Sequence, residues 1–358
     1  MLFRSCSSGC TSPPAGSNNC VNNPPVTPGT ENFGNNNAVE VILTQQQNTF
    51  FASVFMPSVT VKARAVAAIQ NVSTCMIGLG KTKTDLAYRG GGNNTIEIPN
   101  CAFAGDSNDN ASIDLRGNFK LVAAAIDTVG GYSIAGAAGI VSPAITTGAP
   151  PVEDPYSSVT VVPPSSALPC INSVNGVPAL TPGLGMRYGA ITISAGNVNI
   201  PAGVYYLDGS CRGGGGLTIS GGNVTGPGVT FVLTAQVGGT AGSLNITGGS
   251  GSLSAPTVSG LLPPSAAASV GLLIFQDPET SANSGSNTIA TGCPAPPALG
   301  LDLTGAIDTP LTGDDLKGNQ NSCTACTELI ANNFGLDTSG CAKVGTETAR
   351  VSLIRLAE

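Results

Sequence analysis

Thr192-Ile-Ser-Ala-Gly-Asn-Val198 returns twenty-six residues later as Thr218-Ile-Ser-Gly-Gly-Asn-Val224. Each copy is a short alternating strand followed by a Gly-Asn corner, and repetition at this spacing is the mark of a solenoid. Fainter copies extend the pattern: Leu244-Asn-Ile-Thr-Gly-Gly lies about one period on, and Ser112-Ile-Asp-Leu-Arg-Gly-Asn118 and Tyr132-Ser-Ile-Ala-Gly136 precede it. Between the copies lie apolar strands, Gly203-Val-Tyr-Tyr-Leu-Asp-Gly209, Gly228-Val-Thr-Phe-Val-Leu-Thr234 and Val270-Gly-Leu-Leu-Ile-Phe-Gln-Asp277, bounded by turn-forming Gly, Asn, Asp or Pro. Two or three strands per period fit one turn of a right-handed parallel β-helix.

Composition points the same way. Gly at 48, Pro at 26 and only 10% charged residues leave little material for solvent-facing helices, whereas 41% hydrophobic content can fill a core. A net charge of −7 supplies no basic stripe for phosphates, and aromatics at 4% with no Trp leave few stacking platforms, so nucleic-acid binding is excluded as a function class. The absence of His from all 358 residues removes histidine-based triads and metal sites.

Eleven cysteines with a single CxxC, Cys323 and Cys326, point to disulfides in an oxidising compartment. The local pairs expected are Cys75 with Cys101, and Cys326 or Cys323 with Cys341; the pairing of Cys170, Cys211 and Cys293 stays open. Zinc at Cys323, Cys326 and Cys341 is the weaker alternative, since three thiols make a poor closed shell. No segment reaches the ~20 apolar residues of a membrane span, and Met1 to Cys10 lacks the apolar core of a signal peptide.

Along the chain, residues 1–37 read as an irregular Ser/Asn/Pro-rich leader. Residues 38–70 read as a short α+β segment built from Val39-Glu-Val-Ile-Leu-Thr44, Phe50-Phe-Ala-Ser-Val-Phe55 and Val59-Thr-Val-Lys-Ala-Arg-Ala-Val66. Residues 71–358 read as the β-helix, with a Pro-rich excursion at 147–169 and a last strand, Ala349 to Leu356, closing the final coil.

Asn37-Ala-Val-Glu-Val-Ile-Leu-Thr-Gln45, Phe50 to Phe55, Val59 to Ala67 and Gly130-Gly-Tyr-Ser-Ile-Ala-Gly136 resemble bacterial tight-adherence (Flp) pilus-assembly proteins of the TadG-like family. Gly203 to Gly209, Gly228 to Thr234, Leu273-Ile-Phe-Gln-Asp277, Leu303-Thr-Gly-Ala-Ile307 and Cys326-Thr-Glu-Leu-Ile-Ala331 follow in the same order, so the resemblance runs over residues 21–358. It implies a protein whose bulk lies outside the cytoplasm, in the periplasm or at the cell surface, held to the inner membrane by an N-terminal helix. That anchor is not in this sequence, which suggests a missing N-terminal piece. The family's Tyr-Cys corner stands here as Tyr188-Gly189, and the Asp-x-Ser-x-Ser motif of its von Willebrand A subgroup is not found.

The candidate sites compete with plainer readings. Gly78-Leu-Gly-Lys-Thr82 lacks the first Gly of a phosphate loop and reads as a strand-to-turn corner. Asp106-Ser-Asn-Asp-Asn110 offers alternate oxygens, but Ala111 and Gly117 stand where a calcium loop needs Gly and Glu, so it reads as a solvated turn. Arg212-Gly-Gly-Gly-Gly216 reads as a flexible loop. Asp302, Asp308, Asp314 and Asp315 with Lys317 are the one enzymatic possibility, as carboxylates of a polysaccharide lyase or glycosidase, yet Asp314 and Asp315 point to opposite strand faces. Asn118, Asn197 and Asn223 read as corner residues that tolerate the left-handed conformation and stack in ladders, with display of amides to surface glycans as the alternative.

The sequence therefore predicts a non-enzymatic, cofactor-free extracytoplasmic β-solenoid of tight-adherence pilus assembly, serving envelope attachment or adhesion, with pilus or envelope proteins as partners. A carbohydrate-active β-helix enzyme and a general surface adhesin are the alternatives.

Overall fold

The computed structural model describes residues 19–28, 33–34, 38–48, 58–82, 84, 86–88, 93–142, 145–212, 214–236, 238–257, 270–282, 287–289, 300–316, 322–323, 327–336, 341–343 and 351–356. Every regular element among them is a β-strand. The chain divides into two compact units, one of residues 1–71 and 352–358, the other Val72–Val351.

In the first unit, Ala38–Asn48 pairs antiparallel with residues 58–68, and Asn19–Asn22 adds to the other edge of Ala38–Asn48. The α+β character expected of residues 38–70 is not seen. The β-branched period-2 runs at 39–44 and 59–66 have each other as partners across eleven register pairs, which satisfies both backbones as strand. Phe50 to Phe55, the stretch that left room for a helix, lies outside the described residues. Asn19–Asn22 falls in the segment read as an irregular leader: its polar side chains hid a strand held by backbone pairing. Of the strand Val351–Leu356, expected to close the last coil, all but Val351 group with this first unit.

The second unit consists of three parallel ladders visited in a fixed cycle. One cycle runs Gly203–Asp208, Gly216–Ile219, Asn223–Pro227, and the next runs Val229–Thr234, Ser243–Ile246, Ser250–Ser254. Each strand pairs in parallel with its counterpart one cycle later. The twin phrases lie in direct register, Thr192 on Thr218 and Asn197 on Asn223. Ile193, Ile219, Ile246 and Ile289 therefore form one buried row, and Tyr205 stacks on Phe231 with ring centroids 5.6 Å apart. A single strand of this kind buries one face only in company, so each cycle depends on its neighbours for its core.

The order of stacking is not the order of the sequence. Cycles beginning at Cys170 stack upward to residues 327–343, and this last stretch then stacks on the earliest part of the unit. Leu329 pairs with Met76, Phe334 with Leu86 and Cys341 with Thr95, one pairing in each ladder. From there the stack continues through residues 102–128 to 145–147. The Pro-rich passage must therefore carry the chain from one end of the stack to the other. It does so along the outer face of the ladder that holds Gly203–Asp208, and we call it the strap. Near its start the Val152 amide donates to Asp106 Oδ1 at 2.8 Å. Midway the Tyr156 hydroxyl bonds Glu328 Oε2 at 3.2 Å. Further on Gln236 Nε2 donates to the Pro164 carbonyl, and Arg187 reaches the Ser166 and Leu168 carbonyls.

The strap explains why Gly203–Asp208 and Val229–Thr234 are buried at every position, with no polar alternation. Tyr205, Leu207, Phe231 and Leu233 face the interior, while Val204, Tyr206, Val232 and Phe275 form a second apolar cluster with Tyr156 and Val159 of the strap. The expected excursion thus returns onto the stack as its cover. Val159 and Val161 supply the apolar side chains and the prolines keep the passage extended.

Candidate functional site

The left-handed conformation expected of the corner asparagines belongs instead to the glycine before each of them. Gly117, Gly196 and Gly222 have φ of 76°, 80° and 78°, whereas Asn118, Asn197 and Asn223 are not at positive φ. A Cβ at Gly222 would lie 3.0 Å from the Ala195 carbonyl carbon, so the corner needs glycine for space as well as for φ. Asn197 and Asn223 begin the next strand, whereas Asn118 lies within Ile113–Thr128, and Asn223 Nδ2 meets Asn197 Oδ1 at 3.4 Å in a short ladder. The described asparagine with positive φ is Asn175, at 50°, which the sequence pattern did not single out. Its Oδ1 accepts from the Ser194 and Ala195 amides and fastens the first turn of the stack to the next.

Cys75 and Cys101 are paired, with Cα atoms 5.8 Å apart, across one cycle of the stack. Cys170 is paired with Cys211 and ties the end of the strap to the turn after Gly203–Asp208. Cys20 is also disulfide-bonded. Cys326 lies outside the described residues, as does the side chain of Cys341, and the pairing expected there falls with them.

The carboxylates separate into distinct places. Asp302 is exposed and Lys317 lies outside the described residues. Asp314 is fully buried while Asp315 is half-buried on the opposite face. Asp314 Oδ1 accepts from Asn287 Nδ2 and from Thr309 Oγ1, both at 2.9 Å, and burial pushes the group up to about 7, with Asp315 adding to the rise. Asp308 occupies the most unusual position. The outer row beneath the strap reads Tyr206, Val232, Phe275, Asp308, Ile330, Ile77, so a carboxylate stands in register between Phe275 and Ile330. It is fully buried and neither of its oxygens has a hydrogen-bond partner. Burial, followed by the charges of Asp154, Glu328 and Asp314, pushes it well above the usual carboxylate range. Asp154 on the strap is raised too, by burial, although its Oδ1 accepts the Tyr156 amide at 2.7 Å.

Two other buried acids are fully provided for, and no sequence motif marked either. Arg187 Nε donates to Asp208 Oδ2 at 2.6 Å, joined by Gln236 Nε2 and by the Ser210 amide on Oδ1. Burial alone would push Asp208 up, but these donors and the arginine charge hold it below the ordinary range. In the first unit Glu40, with no exposed surface, gathers Asn22 Nδ2 at 2.9 Å, the Val26 amide, the Thr27 hydroxyl and Arg64 Nε at 2.6 Å. Burial is again outweighed by the sum of the donors, and the carboxyl comes down to about 2. Glu40 thus knots together the edge strand, the following turn and both strands of the hairpin.

The remaining motifs take structural roles. Gly78 ends a strand, and the amides of Leu79 and Gly80 bond the Ala331 and Asn332 carbonyls where late and early cycles meet. Asp106, read as part of a solvated turn, is half-buried and anchors the strap instead. Its side chain is drawn in because the strap amide of Val152 needs an acceptor. Among the described residues no group of three or more Cys, Asp or Glu side chains is arranged to hold a metal ion, and no helix is long and apolar enough to cross a membrane.

No curated protein and no solved structure matches the chain. Residues 4–67 match the Tad_C family, described as Tad-like Flp pilus-assembly, which covers the hairpin and the Glu40 knot but not the stacked ladders. Over that N-terminal region, the chain is similar to the Tad-like Flp pilus-assembly family.

Proposed function

We propose that the protein is a non-enzymatic component of a tight-adherence pilus system, working outside the cytoplasm. In this reading the stacked ladders form a rigid right-handed β-solenoid for envelope attachment or adhesion. The family match over residues 4–67 carries the proposal. The paired cysteines support an oxidising compartment, periplasm or cell surface. A stack whose core is shared between neighbouring cycles supports a scaffold, because it presents long rows of polar side chains on a stiff body. Partners are then pilus or envelope proteins bound through many polar contacts, and surface glycans are a further class of ligand for the Asn197 and Asn223 row.

Piliation tests the proposal directly. Deleting the gene in its host should abolish or sharply reduce Flp-type pili in electron micrographs, and complementation with Glu40→Ala, which unties the knot of the family-matching segment, should restore them poorly. Normal piliation after deletion would contradict the assignment. Turnover of uronic-acid polymers that vanishes in Asp315→Ala would replace it with the enzymatic alternative.

A further inference from the structure

Asp308 sits at a position where the row of neighbours is otherwise apolar, closed from above by the strap. Phe275 flanks it on one side and Ile330 on the other. The titratable groups facing it are acidic on every element that carries one, apart from the phenol of Tyr156. They are Asp154 and Tyr156 from the strap, Glu328 from the neighbouring strand Thr327–Ala331, and Asp314 from Asp314–Leu316. An ionised carboxylate in such a place pays for desolvation and for repulsion together, so the seated strap requires the neutral acid.

We propose that Asp308 is a proton-operated catch for the strap: neutral, it lets the Asp154 to Tyr156 turn seat on the ladder, and ionised, it drives that turn off. The physical route is short. When Asp308 loses its proton it can regain solvation only if the cover above it opens, because the strands on either side are held by ladder hydrogen bonds. The cover at this point is the strap, whose anchor here is the Tyr156 hydroxyl on Glu328, itself an acid that ionised Asp308 repels. The Val152 to Asp106 bond on one side and the Arg187 and Asp208 anchor on the other keep the strap tethered, so opening is local to residues 153–162. Opening uncovers the apolar outer face of Val204, Tyr206, Val232 and Phe275, against which Val159 and Val161 of the strap pack.

Hydrogen exchange of the full-length chain, followed from pH 5 to pH 9 and corrected for the intrinsic exchange rate, reads the catch. In the wild type, protection of amides in residues 153–162 should fall with rising pH by up to about tenfold per pH unit, because the open form ionises in the ordinary carboxylate range, and should level off once the pH passes the raised value of the seated form. Asp308→Asn, which keeps the shape and removes the charge, should hold that protection constant over the same range. Tyr156→Phe should lower the protection but leave its pH dependence. Wild-type protection that does not change with pH would overturn the proposal without any variant. So would an equal fall in Asp308→Asn.

Discussion

The two fastenings of the strap make a natural comparison. At residues 164–168 it is held over Asp208, a buried carboxylate with an arginine, an amide side chain and a backbone donor on its oxygens. At residues 154–156 it lies over Asp308, equally buried, on the same outer face of the same ladder, with no donor and three acids around it. The chain spends its hydrogen-bonding capacity at one fastening and withholds it at the other. One therefore acts as a hinge that stays closed, while the other carries an electrostatic penalty that pH can switch. Burial is common to both, so the partners decide the sign.

The comparison can be broken most severely at the hinge. Arg187→Ala leaves Asp208 buried without its cation, and the loss in chemical denaturation should be ~3–5 kcal/mol; a loss below ~1 kcal/mol would show that the two fastenings do not differ as described. Removing the neighbouring disulfide with Cys170→Ser and Cys211→Ser should cost ~2–4 kcal/mol through the freed loop, read as a lower melting temperature in non-reducing buffer. Asp308→Asn should act in the opposite direction. Because folding raises the carboxyl of Asp308, its contribution is favourable below the ordinary carboxylate range and is lost as pH rises. The variant should therefore melt a few degrees higher than wild type at pH 8 and at the same temperature at pH 3. The smallest effect is expected from Gln236→Ala, which removes one donor from Asp208 and one tie to the Pro164 carbonyl. About 1 kcal/mol should be lost, with strap exchange unchanged at residues 153–162.

How much of this was legible in the sequence depends on distance along the chain. The twin Thr-Ile-Ser phrases gave the register of neighbouring cycles, since Thr192 does lie on Thr218 and Asn197 on Asn223. Alternation is a local signal, and so the strands between them were legible as well. The place where residues 327–343 stack on residues 74–98 was not, because one apolar row offers the same side chains to any other and nothing in the pattern says which cycles adjoin. For the same reason the strap looked like an excursion: Val159 and Val161 reveal their use only when Val204 and Val232 are found beneath them. Asp308 drew attention as one member of an acidic run. Its real distinction is the pair Phe275 and Ile330, one before and one after it in the stack, which sequence separation conceals. Glu40 escaped notice because its donors come from residues 22, 26, 27 and 64, a set no short motif contains.

All of this rests on a stack whose first and last cycles meet in its middle, joined end to end by the strap. A spin-label distance between nitroxides at Lys81 and Asn332 tests that order, since the Asn332 carbonyl accepts the Gly80 amide at 2.7 Å. Adjacent cycles lie ~4.8 Å apart, so the labels should fall within ~20 Å of each other. A stack built in sequence order would place those residues near its opposite ends, and a distance of ~40 Å would contradict the account.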